Sequence, residues 1–171
     1  MAHFAEIKQV TDPTGFTNDP HWVVHRVVVV SNEHVPSDKH VDGETWCIKF
    51  FGPHTTWKQT SYNNHFRKCY AGAGFVYDYA KDKFIAKQPY ASWSLNANDD
   101  WVAPDPFPIG DQNNYFIRWD EEEQKWKGIK KSLTDDGKGR TNWDWDPSSL
   151  NWVFVSNFEP FITTKYPLSL F

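Results

Sequence analysis

The sequence predicts an α+β protein that is mostly β: a small antiparallel sheet with one short helix, followed by aromatic-stapled β-hairpins. Three observations carry that prediction. The run Trp22 to Val30 (WVVHRVVVV) is the strongest strand signal in the chain. A single segment, Asp42 to Gly52, changes to the helical period. A local unit then recurs four times, in which a bulky residue and Asp or Asn lead through a few polar residues to an aromatic. Its copies are Tyr77-Asp78 to Phe84, Leu95-Asn96 to Trp101, Trp119-Asp120 to Trp126, and Trp145-Asp146 to Trp152. Asp and Asn accept backbone hydrogen bonds two residues on and so initiate turns. The returning aromatic then lies opposite the departing bulky residue, a favourable cross-strand pair. The irregular spacing between copies argues for hairpins and against a solenoid.

Taken in order, Phe4 to Val10 reads as a first strand, and TDPTGFTNDPH after it is excluded from regular structure by its prolines and Gly15. Trp22 to Val30 carries β-branched residues at both parities, which makes it a central strand covered on both faces. Ser31 to Val41 is polar and contains Pro36. In the helix, Trp46 and Phe50 are spaced by four, as are Cys47 and Phe51; Asp42 suits the N-cap and Gly52-Pro53 the stop. Trp57, Gln59 and Ser61 alternate with Lys58, Thr60 and Tyr62 as in a half-buried strand. The turn Asn63, Asn64, His65, Arg67, Lys68 follows. Gly72 and Gly74, at the mouth of the next strand, supply either positive φ or close backbone approach. APDPFP (Ala103 to Pro108) is extended. The last two hairpins span Tyr115 to Trp126 and Asn142 to Phe154. Between them KGIKKSLTDDGKGR reads as an exposed, mobile loop, its basic run interrupted by Asp135 and Asp136. The expected divisions are 1–55 (strands and helix), 56–126 (central hairpins, in the same compact domain) and 127–171 (C-terminal hairpin and extended tail).

A chain of 171 residues with net charge −4 argues against a nucleic-acid coat. Ten Trp, seven Tyr and thirteen Phe argue against disorder, and suit a thin β structure whose small core needs large flat side chains. No apolar run reaches membrane-span length, and MAHFAEIKQV lacks the layout of a signal peptide. Cys47 and Cys69 read as reduced thiols of a chain folded in the cytoplasm.

A search for chemistry yields no phosphate loop, dinucleotide fingerprint, nucleophile elbow or zinc helix. His65 and Cys69 are four apart with no third orienting group. His21 and His25 lie in a strand context where they do not converge. Asp120 to Glu123 reads as a solvated hairpin tip without calcium-ligand spacing. The expectation is therefore no catalytic residues, no metal and no cofactor. Two kinds of contact surface remain. The basic turn (Asn63, Asn64, His65, Arg67, Lys68) and the apolar tail (Phe161, Tyr166, Leu168, Leu170, Phe171) are candidates for binding a partner protein. Trp143, Trp145 and Trp152 alternate with polar residues and are either hairpin core or a platform on which sugar rings stack.

The run from Trp57 to Pro108 resembles a family of small proteins encoded by tailed phages of marine cyanobacteria and related marine hosts. The resemblance rests on WKQTSYN (Trp57 to Asn63), FRKCYAGAG (Phe66 to Gly74), Tyr77 to Ile85, PYASWSLN (Pro89 to Asn96) and WVAP (Trp101 to Pro104). WDEEEQKW (Trp119 to Trp126) and the early FAEI are similar to family segments as well. The chain departs from the short members at Gln88 and in the extension from Lys127 onward. The resemblance implies a virion-associated structural protein and attaches no catalytic residue. The expected function is a capsid-associated decoration or knob protein; alternatives are a tail or tail-fibre component touching host surface glycans, and a host-directed intracellular factor. The expected partners are other virion proteins, with a homo-oligomer as a further option, and neither nucleic acid nor membrane insertion.

Overall fold

The computed structural model describes residues 1–10, 21–35, 40–132 and 139–158. It is mostly β with one helix among the described residues, as the sequence predicts. The chain folds as two compact units, Met1–Pro89 with Ala97–Asp100, and Tyr90–Asn96 with Trp101–Phe171. The division falls at Pro89 and brackets one hairpin tip.

The first unit is a five-stranded antiparallel sheet built from β1 (Ala2–Val10), β2 (His21–Val30), β3 (Thr56–Thr60), β4 (Val76–Asp78) and β5 (Lys83–Ile85), in the order β3-β1-β2-β4-β5. The β2 strand is central, and side chains pack on both its faces. Ala2 and Phe4 of β1 join Val28, Val30, Cys47 and Trp57 in one cluster; Ala5 and Ile7 join Trp22, Val24, Val27, Tyr77 and Phe84 in the other. A β-bulge explains why apolar residues on β2 change parity. Glu6 pairs with Arg26 but Ile7 pairs with Val24, so His25 is the extra residue and the inward positions step from Val27 to Val24.

The first cluster is covered by the helix α1 (His40–Phe51). Of the two pairs expected on it, Cys47 and Phe51 belong to this cluster, Cys47 wholly buried and Phe51 partly. Trp46 stacks on Phe50 at 4.9 Å, with Phe50 largely exposed. Gly43 is the close-contact point. A Cβ built there meets the Phe4 ring at 2.1 Å, so only glycine lets the ring lie against the helix backbone. Gly52 ends the helix with φ 115°, as its stop signal predicts.

The sheet curls. In a flat sheet β3 and β5 are four strand spacings apart, roughly 19 Å. Yet Arg67 uses its carbonyl to accept from Phe84 N of β5 (3.0 Å) while its guanidinium donates to the Gln59 carbonyl of β3 (2.9 Å). A few residues on, Ala71 N donates to Thr60 Oγ1 of β3 at 2.8 Å. One short segment thus ties both edges together, around the second cluster. Both roles expected of the glycines are found there: Gly74 has φ 83°, and a Cβ on Gly72 meets the Phe75 ring at 2.9 Å.

The second unit holds a two-stranded ribbon, β6 (Ser94–Leu95) with β7 (Trp101–Val102), and a four-stranded meander of β8 (Tyr115–Asp120), β9 (Lys125–Lys130), β10 (Arg140–Asp146) and β11 (Asn151–Phe158), in the order β11-β10-β9-β8. All four repeated units are hairpins, and each bulky residue pairs with the predicted aromatic: Tyr77 with Phe84, Leu95 with Trp101, Trp119 with Trp126, Trp145 with Trp152. Asp78, Asp120 and Asp146 each accept a backbone amide from the turn they open. The residue that closes each of those turns, Asp82, Gln124 or Leu150, sits at φ near 50°. Lys127 to Lys130, expected in a loop, belong to β9 and pair with β8 and β10. Their alternation Lys127, Gly128, Ile129, Lys130 is a strand pattern that the density of lysines hides. The middle of that expected loop, 133–138, lies outside the described residues.

Candidate binding surfaces

The turn between β3 and β4 is built by an ion network and not by exposure. Asn63, Asn64 and His65 are exposed, although Asn64 Oδ1 accepts from Tyr70 N at 2.6 Å and His65 N donates to Ser61 Oγ at 3.0 Å. Arg67 differs: its side chain is only 7% exposed. It donates to Glu44 Oε1 of α1 (2.7 Å), to Asp82 Oδ1 in the β4–β5 turn (2.9 Å) and to the Gln59 carbonyl. Tyr77 donates its hydroxyl to the same Asp82 oxygen. Burial raises the Tyr77 pKa, and the hydrogen bond to Asp82 adds to the shift. For Arg67, burial pulls the pKa down but the Glu44 carboxylate outweighs it, so the guanidinium stays charged. Its backbone is held at φ 53°, with Lys68 next at 68°, a left-handed pair that the network must hold against strain. The exposure expected of Arg67 is thus not found, because the sequence does not reveal that Glu44 and Asp82 converge on it.

Lys68 reaches Asn98 O (2.7 Å) and Asp100 Oδ1 (2.5 Å), while Lys81 and Lys83 hold the two oxygens of Asp99 at 2.6 and 2.5 Å. The Ala97–Asp100 tip is therefore pinned by three lysines. The hydrogen bonds from Lys81 and then Lys83 hold the Asp99 carboxyl at about 2.

Neither cysteine has the character of a nucleophile. Burial pushes the Cys47 thiol up to about 12 and raises that of Cys69, whose Sγ donates to Phe84 O at 3.4 Å.

In the second unit the pairing register puts Tyr115, Ile117, Trp119, Trp126, Trp143, Trp145 and Trp152 on one face of the meander, and they form its aromatic cluster together with Tyr90 and Trp93. Trp152 is core: it is 9% exposed, stacks on Tyr115 at 4.7 Å and donates its indole N–H to Asp111 Oδ2 at 2.9 Å. Trp143 and Trp145 are half-buried. Trp143 donates to Thr141 Oγ1, and Trp145 packs its edge on Trp152. Of the three platform candidates, two therefore keep some ring surface in solvent. Glu121, expected in a solvated tip, is instead an anchor. It accepts from Ser92 N, Ser92 Oγ and Trp119 Nε1, and the Ser92 hydroxyl leads in holding its carboxyl below the usual range.

Beside Trp145 a cleft opens. The β9 and β10 strands pair only through Ile129–Lys127 and Asn142–Asp144. Beyond that the β8–β9 and β10–β11 turns part, leaving about 390 Å³ lined by Asp105, Glu123, Lys125, Asp144, Trp145 and Val153 among others. Lys125 Nζ bridges Glu123 Oε2 (2.9 Å) and Asp144 Oδ2 (3.2 Å) on its wall.

The third surface is the edge strand β11. Val153, Phe154 and Val155 are each more than half exposed. The tail candidates Phe161, Tyr166, Leu168, Leu170 and Phe171 lie outside the described residues.

No family model, curated protein or solved structure matches the chain.

Proposed function

We propose that the chain is a non-enzymatic structural protein of a phage particle, a capsid-associated decoration protein that docks on other virion proteins. The observation that carries this reading is β11: an eight-residue edge strand displaying three consecutive apolar side chains. Edge backbone groups with apolar anchors are what strand addition to a partner uses, and proteins that act alone blunt such edges. The charged network of the first unit supports the same reading, since the buried Arg67 pairs with the mostly buried Glu44 and the exposed Asp82, and all three serve the fold. The phage assignment rests on the sequence resemblance. Tail location with a glycan-binding role is a second reading, favoured by the cleft, where a half-buried indole adjoins carboxylates and an ammonium group. Stacking on a sugar face with hydrogen bonds to its hydroxyls needs that combination.

Quantitative mass spectrometry of purified virions tests both readings. Copies in a fixed ratio to the shell protein's subunit groupings are expected. Low copies matching tail components move the assignment to the tail, where Trp145→Ala should weaken host adsorption at unchanged far-ultraviolet circular dichroism. Absence from the particle overturns both.

A further inference from the structure

Of the indoles on the aromatic face of the second unit's meander, one differs from its neighbours. Trp119 donates its N–H to Glu121, Trp126 to the Asp105 carbonyl, Trp143 to Thr141 Oγ1 and Trp152 to Asp111. The Trp145 N–H meets no acceptor among the described residues, and its nitrogen is not buried. Trp145 also lines the cleft between the β8–β9 and β10–β11 turns, whose volume of about 390 Å³ is that of a small-ligand site. Four carboxylates line the same cleft, those of Asp105, Glu123, Asp144 and Asp146, against the single ammonium of Lys125. They are not equally committed. The Asp146 oxygens are taken by Ser148 and Ser149, and those of Glu123 by Lys125 and Lys127. Asp144 gives Lys125 only Oδ2, at 3.2 Å, and the Asp105 carboxylate meets no donor among the described residues. The cleft thus holds an unmet donor, unmet acceptors on Asp105 and Asp144, an indole ring and the exposed Val153.

We infer that this cleft binds a neutral saccharide, stacked on Trp145, and turns away acidic ones. Charge decides against the other ligand classes. A uronate, sulfate or sialyl group would enter among four carboxylates, a repulsion that one ammonium does not offset. A cationic side chain would find the place between Glu123 and Asp144 already filled by Lys125 Nζ, and would meet its own sign there. A hydroxyl suits what is left, because one such group can donate to a carboxylate oxygen and another accept from an indole N–H. A pyranose carries several hydroxyls beside a face of C–H bonds, and that face rests on an aromatic ring. Hydrogen bonds to a charged acceptor are the stronger kind, and a sugar hydroxyl that donates to Asp105 or to Asp144 Oδ1 makes one. The inference rests on the glycan reading of the cleft and is independent of where the chain sits on a particle.

The test is proton–nitrogen correlation NMR of the indole signals of the full chain, titrated with neutral cellotriose and mannotriose, anionic trigalacturonate and cationic glucosamine trimer. Trp145→Phe, which keeps a ring, assigns the Trp145 signal by its loss. At least one neutral trisaccharide should move that signal with a Kd of roughly 1 mM. Trigalacturonate should bind about tenfold more weakly, and the glucosamine trimer no more tightly than the neutral sugar. Asp105→Asn alters a carboxylate that no described residue uses, so it should keep the wild-type melting temperature. It should weaken the neutral sugar about fivefold and narrow the preference over trigalacturonate. If none of the sugars moves an indole signal, the glycan reading of the cleft falls and the inference with it. Three outcomes overturn the inference alone and leave a glycan role standing: tighter binding of either charged trisaccharide, shifts confined to other indoles, or neutral-sugar binding that Asp105→Asn leaves unchanged.

Discussion

Asp99 shows how much of this fold hangs on single side chains in turns. It is a nearly buried carboxylate at a hairpin tip, and two lysine side chains supply its charge-assisted hydrogen bonds. Its pKa falls from the ordinary 3.8 to about 2 in the folded state. A carboxyl group lowered by folding contributes stability above its unfolded value and loses it as the folded value is approached. Melting temperature should therefore drop as pH falls from about 4 to 2. Asp146, held at about 2 by the Ser148 and Ser149 hydroxyls, contributes to the same window. The Asp99→Asn variant should be less stable at pH 7 and show a flatter acid limb; an unchanged acid limb would show that the Lys81–Asp99–Lys83 contact adds nothing to the fold. Arg67, Glu121 and Asp99 share one lesson. Each stands in a polar turn-like context, and each is tied down by partners at a sequence separation of 15 to 29 residues. Local pattern reveals turns; it does not reveal which long-range group a turn residue will meet.

The hairpins are the elements most legible in the sequence, because everything that defines them is local. Tyr77-Asp78, Trp119-Asp120 and Trp145-Asp146 each open a four-residue turn whose last residue is left-handed, and each returns to an aromatic partner. Leu150 is the poorest choice for that last position, since a branched apolar side chain at φ 51° is strained and here is 73% exposed as well. Replacing it with Asn, which tolerates that backbone, should stabilise the protein by about 1 kcal/mol. Urea unfolding followed by tryptophan fluorescence reads the change, and no gain would mean that the turn relaxes in solution. The helix was legible as an element but not in its docking. Gly43 reads as a weak point in a helix until Phe4, thirty-nine positions earlier, is seen lying against it. In the same way the bulge at His25 has no signature in WVVHRVVVV, because the pairing of Glu6 and Ile7 creates it.

At the scale of the molecule, the curl of the first sheet depends on Arg67, which binds β3, β5 and the helix at once. Arg67→Gln should cost roughly 3 kcal/mol by removing the nearest cation from the mostly buried Glu44, which keeps only Lys58 at 3.8 Å and the Gln59 amide at 2.8 Å; a loss below 1 kcal/mol in urea unfolding would place the closure of the sheet in its apolar cluster instead. The two units also differ in how far apart in the chain their partners lie. In the meander each strand pairs with its neighbour in sequence, and tight turns join β8 to β9 and β10 to β11. In the first unit β1 must wait for β3, with Phe4 meeting Gln59, and the sheet cannot close until Arg67 has both edges within reach. Short loops close quickly and long ones slowly. The order of folding is thereby written into the connectivity: hairpins zip while the N-terminal strands are still searching, and the last event is the fastening of a ring.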